Sequence, residues 1–117
     1  MTHTVLLVED EDDLRDTMRD ALEFNGYAVV AARDGQEALE ELDRIEHICV
    51  VLLDLIMPRM NGWDFFARLR ERNALADVPV IIHSSTPNQA PPGATRVLSK
   101  PLAFNQLLAV VREYCAG

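Results

Sequence analysis

Apolar residues along this chain come in two rhythms. Short runs, Thr4 to Val8 (TVLLV), Tyr27 to Ala32 (YAVVAA), Ile48 to Leu53 (ICVVLL), Val78 to His83 (VPVIIH) and Arg96 to Ser99 (RVLS), read as strands. Between them apolar residues recur at helical spacing. Leu14, Met18, Ala21 and Leu22 share one face behind an acidic first turn; Ala38, Leu39 and Leu42 make a second, and Phe65, Phe66 and Leu69 a third. Phe104, Leu107, Leu108 and Val111 fall at i, i+3, i+4 and i+7 of the last. Local chemistry punctuates the pattern. Asn25-Gly26 stops the first helix, Asp34 and Glu37 stand at capping-box spacing with Asp34 as N-cap, and Asn61 can cap the third. Strands alternating with helices imply right-handed crossovers, so the expected class is doubly wound α/β, a parallel sheet with helices on both faces.

One interval breaks the rhythm. Only the eleven residues from Ser85 to Thr95 join the fourth run to the fifth, and Pro87, Pro91 and Pro92 are among them. An average helix takes about 11 residues before any loop is counted, and Pro92 drives Pro91 away from helical angles. At most one helical turn is expected there. The helix that the alternation calls for is shortened or missing.

Composition narrows the class. The chain has 117 residues and is 49% hydrophobic, which suits one domain spanning residues 1–117. No apolar run approaches the roughly 18 residues that cross a bilayer, and MTHTVLLVED lacks the basic start of a signal peptide. A cytoplasmic location without membrane contact is expected. Eleven basic against nineteen acidic residues leave a net charge of -8, which argues against direct nucleic-acid binding by this domain. Cys49 and Cys115 lie far apart in apolar stretches and are expected to be buried thiols in a reducing compartment.

In an open parallel sheet, ligands bind beyond the carboxyl ends of the strands. Glu9 and Asp10 follow the first strand, Asp54 the third, Ser84 the fourth and Lys100 the fifth. Singly these are a solvated acid pair, a turn-former, a loop hydroxyl and a surface lysine; together they converge on one crevice. Carboxylates a few ångströms apart must hold protons or a cation. Hard oxygen donors at a water-accessible site suit Mg²⁺. Asp54, kept ionised, can then act as a nucleophile toward phosphorus, with Lys100 and Ser84 beside the phosphoryl oxygens.

VLLVEDEDDLR, VVLLDLIMPRMNG, VPVIIHSS and LSKP resemble, in that order, the motifs of response-regulator receiver domains of two-component signalling, over essentially the whole chain. The resemblance implies a five-stranded sheet in the order 2-1-3-4-5. It implies Asp54 as phosphoacceptor, fed by a histidine kinase or histidine phosphotransfer protein. Glu9, Asp10, Asp54 and the backbone carbonyl of Ile56 would hold Mg²⁺, Ser84 would be the switch hydroxyl, and Lys100 would contact the phosphoryl group ahead of a Lys100-Pro101 bond that is often cis. Similar domains also lose their own phosphate by autocatalysis without being enzymes on other substrates. Two departures stand out. Val97 occupies the switch position that usually holds Tyr or Phe, and the missing helix removes part of the usual output face.

Several residues carry no site signal. His3, His47 and His83 show no ligand spacing; His83 precedes Ser84 on a strand, so it points to the opposite face and is expected to pack. Trp63, Phe65 and Phe66 read as core or helix-edge residues. A downstream protein partner or a fused effector domain would receive the signal. A receiver-like interaction module acting without phosphorylation is the alternative. An Asp-nucleophile phosphatase is disfavoured because Ile56 stands where a second acid is needed, and a flavin domain because Glu9 and Asp10 occupy the phosphate-loop position.

Overall fold

The computed structural model describes residues 3–115. Five parallel strands form one sheet in the order β2-β1-β3-β4-β5: β1 (Thr4–Val8), β2 (Ala28–Ala32), β3 (Ile48–Asp54), β4 (Val80–Ser84) and β5 (Arg96–Ser99). The helices are α1 (Asp12–Phe24), α2 (Gly35–Leu42), α3 (Gly62–Arg70) and α4 (Phe104–Tyr114). Each strand of the sheet centre is buried on both faces, so alternate residues serve different helix layers. Leu6, Val8, Val51, Leu53, Val80 and Ile82 meet α2 and α3 through Ala38, Leu42, Phe65, Phe66 and Leu69. Val5, Leu7, Val50, Leu52 and Ile81 meet α1 and α4 through Met18, Leu22, Leu107 and Val111.

The expected punctuation is present. Asn25 follows α1 and Gly26 takes a left-handed φ of 90° that turns the chain into β2. Asp34 caps α2 by accepting the Glu37 amide at 2.8 Å, and Glu37 Oε1 reaches back to the Arg33 amide at 3.1 Å. Asn61 caps α3 through the Asp64 amide at 2.9 Å. The interval after β4 holds one 3₁₀ turn, Pro87–Gln89, in place of a helix. Trp63 Nε1 donates to the Gln89 carbonyl at 2.6 Å and pins that turn to the start of α3. Phe65 and Phe66 are core residues, as expected.

The cysteines require a correction. Both are buried, yet they are not free thiols: Cys49 and Cys115 form a disulfide, with Cα atoms 5.3 Å apart, tying the start of β3 to the end of α4. Simple alternation would send Cys49 to the α2–α3 side with Val51 and Leu53. A bulge intervenes, because Thr4 pairs with Ile48 while Val5 pairs with Val50. The extra residue turns Cys49 onto the same face as Val50, where α4 ends.

Candidate functional site

Strand register and side-chain parity build the site together. Val8 pairs with Leu53, and Asp54 pairs with His83. Glu9, Asp54 and His83 therefore continue the row of Leu7, Leu52 and Ile81 on the α1–α4 face at the carboxyl edge of the sheet. Lys100 lies one residue beyond β5 on the same parity as Leu98, after which comes a cis Lys100-Pro101 bond. Glu9 and Asp54 are buried, whereas Asp10 is exposed at the rim.

Carboxylate oxygens of Glu9, Asp10 and Asp54 all lie within 4.8 Å of one another. Lys100 Nζ sits between two of them, 2.9 Å from Glu9 Oε1 and 3.5 Å from Asp54 Oδ2. Glu9 is the most supported of the acids. Its Oε2 accepts the Glu11 amide at 3.0 Å, and Oε1 lies 3.0 Å from His83 Nε2 as well as facing Lys100. Arg15 donates to the Glu9 carbonyl at 3.0 Å and anchors the turn from outside.

Ionisation follows from these contacts. Burial alone would raise the Glu9 pKa, but the hydrogen bonds from His83, Glu11 and Lys100 outweigh it and bring it down to about 2. Asp54 goes the other way: burial, then the charge of Glu9, push it up to about 7 against the pull of Lys100. Burial opposes the Lys100 ammonium, yet Glu9 and Asp54 raise its pKa above the ordinary value. One acid is thus left short of positive charge. The donor set, three carboxylates around one point, fits a hard divalent cation such as Mg²⁺.

The loop after Asp54 is held as tightly as the strand. The Gly62 amide donates to the Leu55 carbonyl at 2.8 Å, folding α3 back onto the end of β3. A Cβ on Gly62 would overlap the Asp54 carbonyl and come 2.7 Å from Leu55 Cα, so no other residue fits this approach. Arg59, at φ 63°, clamps the loop to α2: its Nε is 2.8 Å from Asp34 Oδ2 and its Nη2 3.1 Å from Oδ1.

Among the described residues, none of the remaining candidates, Ser84, Ile56 and Val97, has a side-chain hydrogen bond to these carboxylates. Ser84 is buried at the end of β4, but its Oγ accepts the Thr86 amide at 3.0 Å and pairs with Thr86 Oγ1 at 3.1 Å. Ile56 is in the loop two residues beyond Asp54, with an exposed side chain. Val97 pairs with Ile82 and is 41% exposed, with no aromatic lever in its place. His83 is the residue whose placement corrects expectation. It is fully buried, but as a hydrogen-bond partner of Glu9 and not as packing alone. Parity of Glu9, Asp54 and His83 was readable from the sequence; the register that brings His83 beside them was not.

The model of the response regulator receiver domain matches residues 5–112. The chain belongs to the response-regulator receiver domains. This receiver is 34% identical over 114 residues to the response regulator MprA of Mycobacterium leprae (strain TN), covering 92% of the chain and 49% of that protein. It is also 34% identical over 120 residues to MprA of Mycobacterium ulcerans (strain Agy99), covering 96% and 50%. The receiver thus spans about half the length of these curated relatives. Among solved structures, chemotaxis response regulator CheY4 of Vibrio cholerae superposes with a TM-score of 0.85 at 27% identity, covering 97% of this chain and 99% of that one. TrrA of Thermotoga maritima, solved in complex with Mg²⁺ and BeF, shares the fold with a TM-score of 0.84 at 23% identity, over 97% of this receiver and 99% of that chain. No helix among the described residues is long and apolar enough to cross a membrane.

Proposed function

We propose that residues 1–117 form one receiver domain whose Asp54 accepts a phosphoryl group from a phosphohistidine on a histidine kinase or phosphotransfer protein. The observation that carries this reading is the meeting of Glu9, Asp10 and Asp54 within 4.8 Å around a shared point, with Lys100 bridging Glu9 and Asp54. Mg²⁺, held by those three carboxylates and the Ile56 carbonyl, would neutralise the acids and the phosphoryl oxygens. Asp54 supplies the nucleophilic oxygen. Its O–P bond forms as the donor's P–N bond breaks, and the imidazole leaves with that electron pair and takes up a proton. Lys100 turns from Glu9 toward the new phosphoryl oxygens. Ser84 must release Thr86 to join it, which couples the site to the Pro87–Gln89 turn. Because Val97 offers no aromatic ring, the change is read out through that segment by a downstream protein or a fused effector domain. Water attack on the acyl phosphate resets the domain, which catalyses only its own turnover.

Incubation with acetyl phosphate and Mg²⁺ should add one phosphoryl group by intact mass, and Asp54→Asn or chelation of Mg²⁺ should abolish it. An unlabelled wild type, where a control receiver labels, refutes the reading. The short 3₁₀ turn pinned by Trp63 favours one alternative, a receiver-like module binding its partner without phosphorylation. Beryllofluoride that binds yet leaves partner affinity unchanged would select that alternative.

A further inference from the structure

The phosphoryl chemistry leaves a buried imidazole unused. His83 is fully buried in β4, between Asp54 on β3 and Leu98 on β5. Its Nε2 lies 3.0 Å from Glu9 Oε1, and Glu9 is equally buried. An ionised carboxylate has no proton to give, so the proton of this bond belongs to Nε2. Nδ1 is then a bare lone pair, in keeping with its having no hydrogen-bond partner among the described residues.

Glu9 Oε1 is shared by two donors of different character. Lys100, 2.9 Å away, is 21% exposed, sits on a flexible stem and also faces Asp54. His83 is locked in the sheet. When a phosphoryl dianion draws Lys100 away, a buried Glu9 without another donor at Oε1 would be left partly unpaired, a costly state for an ionised group.

We propose that His83 is a positioning residue of the acidic site: its Nε2–H orients Glu9 and keeps Oε1 paired when Lys100 turns to the phosphoryl group on Asp54. This deepens the phosphoacceptor reading and rests on it. An apolar residue would fill the same space but would leave Lys100 as the sole donor to Oε1, setting Glu9 against the phosphoryl group for one ammonium.

The test is a calorimetric titration of Mg²⁺ alone into the full chain, wild type against His83→Leu and His83→Gln. Loss of a hydrogen bond behind a metal-binding carboxylate weakens binding about 10- to 100-fold, and that loss is expected for His83→Leu. His83→Gln, whose amide nitrogen can replace Nε2–H, should recover most of it, which a space-filling role would not. A folded His83→Leu that binds Mg²⁺ as tightly as wild type overturns the proposal, as does a glutamine variant no better than leucine. Should the leucine variant not fold, ring ¹⁵N NMR of the wild type decides. The proton should reside on Nε2 and persist when Mg²⁺ and beryllofluoride are added; a proton on Nδ1, or loss of the Nε2 proton on that addition, overturns it. A wild type that neither binds Mg²⁺ nor labels with acetyl phosphate removes the underlying reading as well. Normal wild-type labelling with an indifferent His83→Leu removes this inference alone.

Discussion

Asp54 is held at a cost to the fold, and that cost can be measured. Its pKa rises from 3.8 to about 7 through burial and the charge of Glu9. The folded protein therefore retains the Asp54 proton over a range where the unfolded chain has lost it, and stability from this group falls as pH rises from about 4 to 7. About three pKa units correspond to a ceiling of about 4 kcal/mol at pH 8. Relaxation reduces what is observed, so Asp54→Asn should stabilise the Mg²⁺-free domain by about 2–4 kcal/mol at pH 8. The gain should shrink toward zero below pH 4, where Asp54 is protonated in both states. Urea unfolding followed by Trp63 fluorescence, with chelator at pH 4, 6 and 8, reads the whole curve. Mg²⁺ in excess should stabilise wild type at pH 8 and the variant far less, closing the gap. A variant less stable than wild type at pH 8 without Mg²⁺, or a gain that ignores pH, would refute the electrostatic reasoning.

Other substitutions probe the supports of the site. Reducing Cys49–Cys115, which spans 66 residues of sequence, should cost about 2–4 kcal/mol in urea unfolding; Cys115→Ser in oxidising buffer should match the reduced wild type. Gly62→Ala should cost about 1–3 kcal/mol by overpacking against the Asp54–Leu55 backbone. It should also slow acetyl phosphate labelling, and full stability together with full labelling would contradict the close approach. Asp34→Ala removes both the cap on α2 and the partner of Arg59, so a loss of about 1–3 kcal/mol is expected. Arg59→Ala keeps the cap but leaves the buried Asp34 carboxylate without its cation, so a loss of about 1–3 kcal/mol is expected; unchanged stability would show the ion pair to be idle.

Much of this protein was written in local pattern. Continuous apolar runs separated by helical periods specify a sheet buried on both faces, because each element must cover an apolar surface with its neighbour. Gly26, Asp34 and Asn61 mark helix ends through chemistry that acts within a few residues, and the prolines after Ser85 exclude a helix for the same reason. The acids and the lysine at strand ends were legible because a parallel sheet delivers every carboxyl end to one edge. Tertiary structure decided what depends on register. A one-residue bulge at Thr4–Val5 carries Cys49 to the side where Cys115 ends, and pairing of Asp54 with His83 sets an imidazole against Glu9. The left-handed Arg59 reaches Asp34 across 25 residues of chain. Such contacts join residues distant in sequence, and the pairing between strands, which no single segment encodes, determines which of them meet.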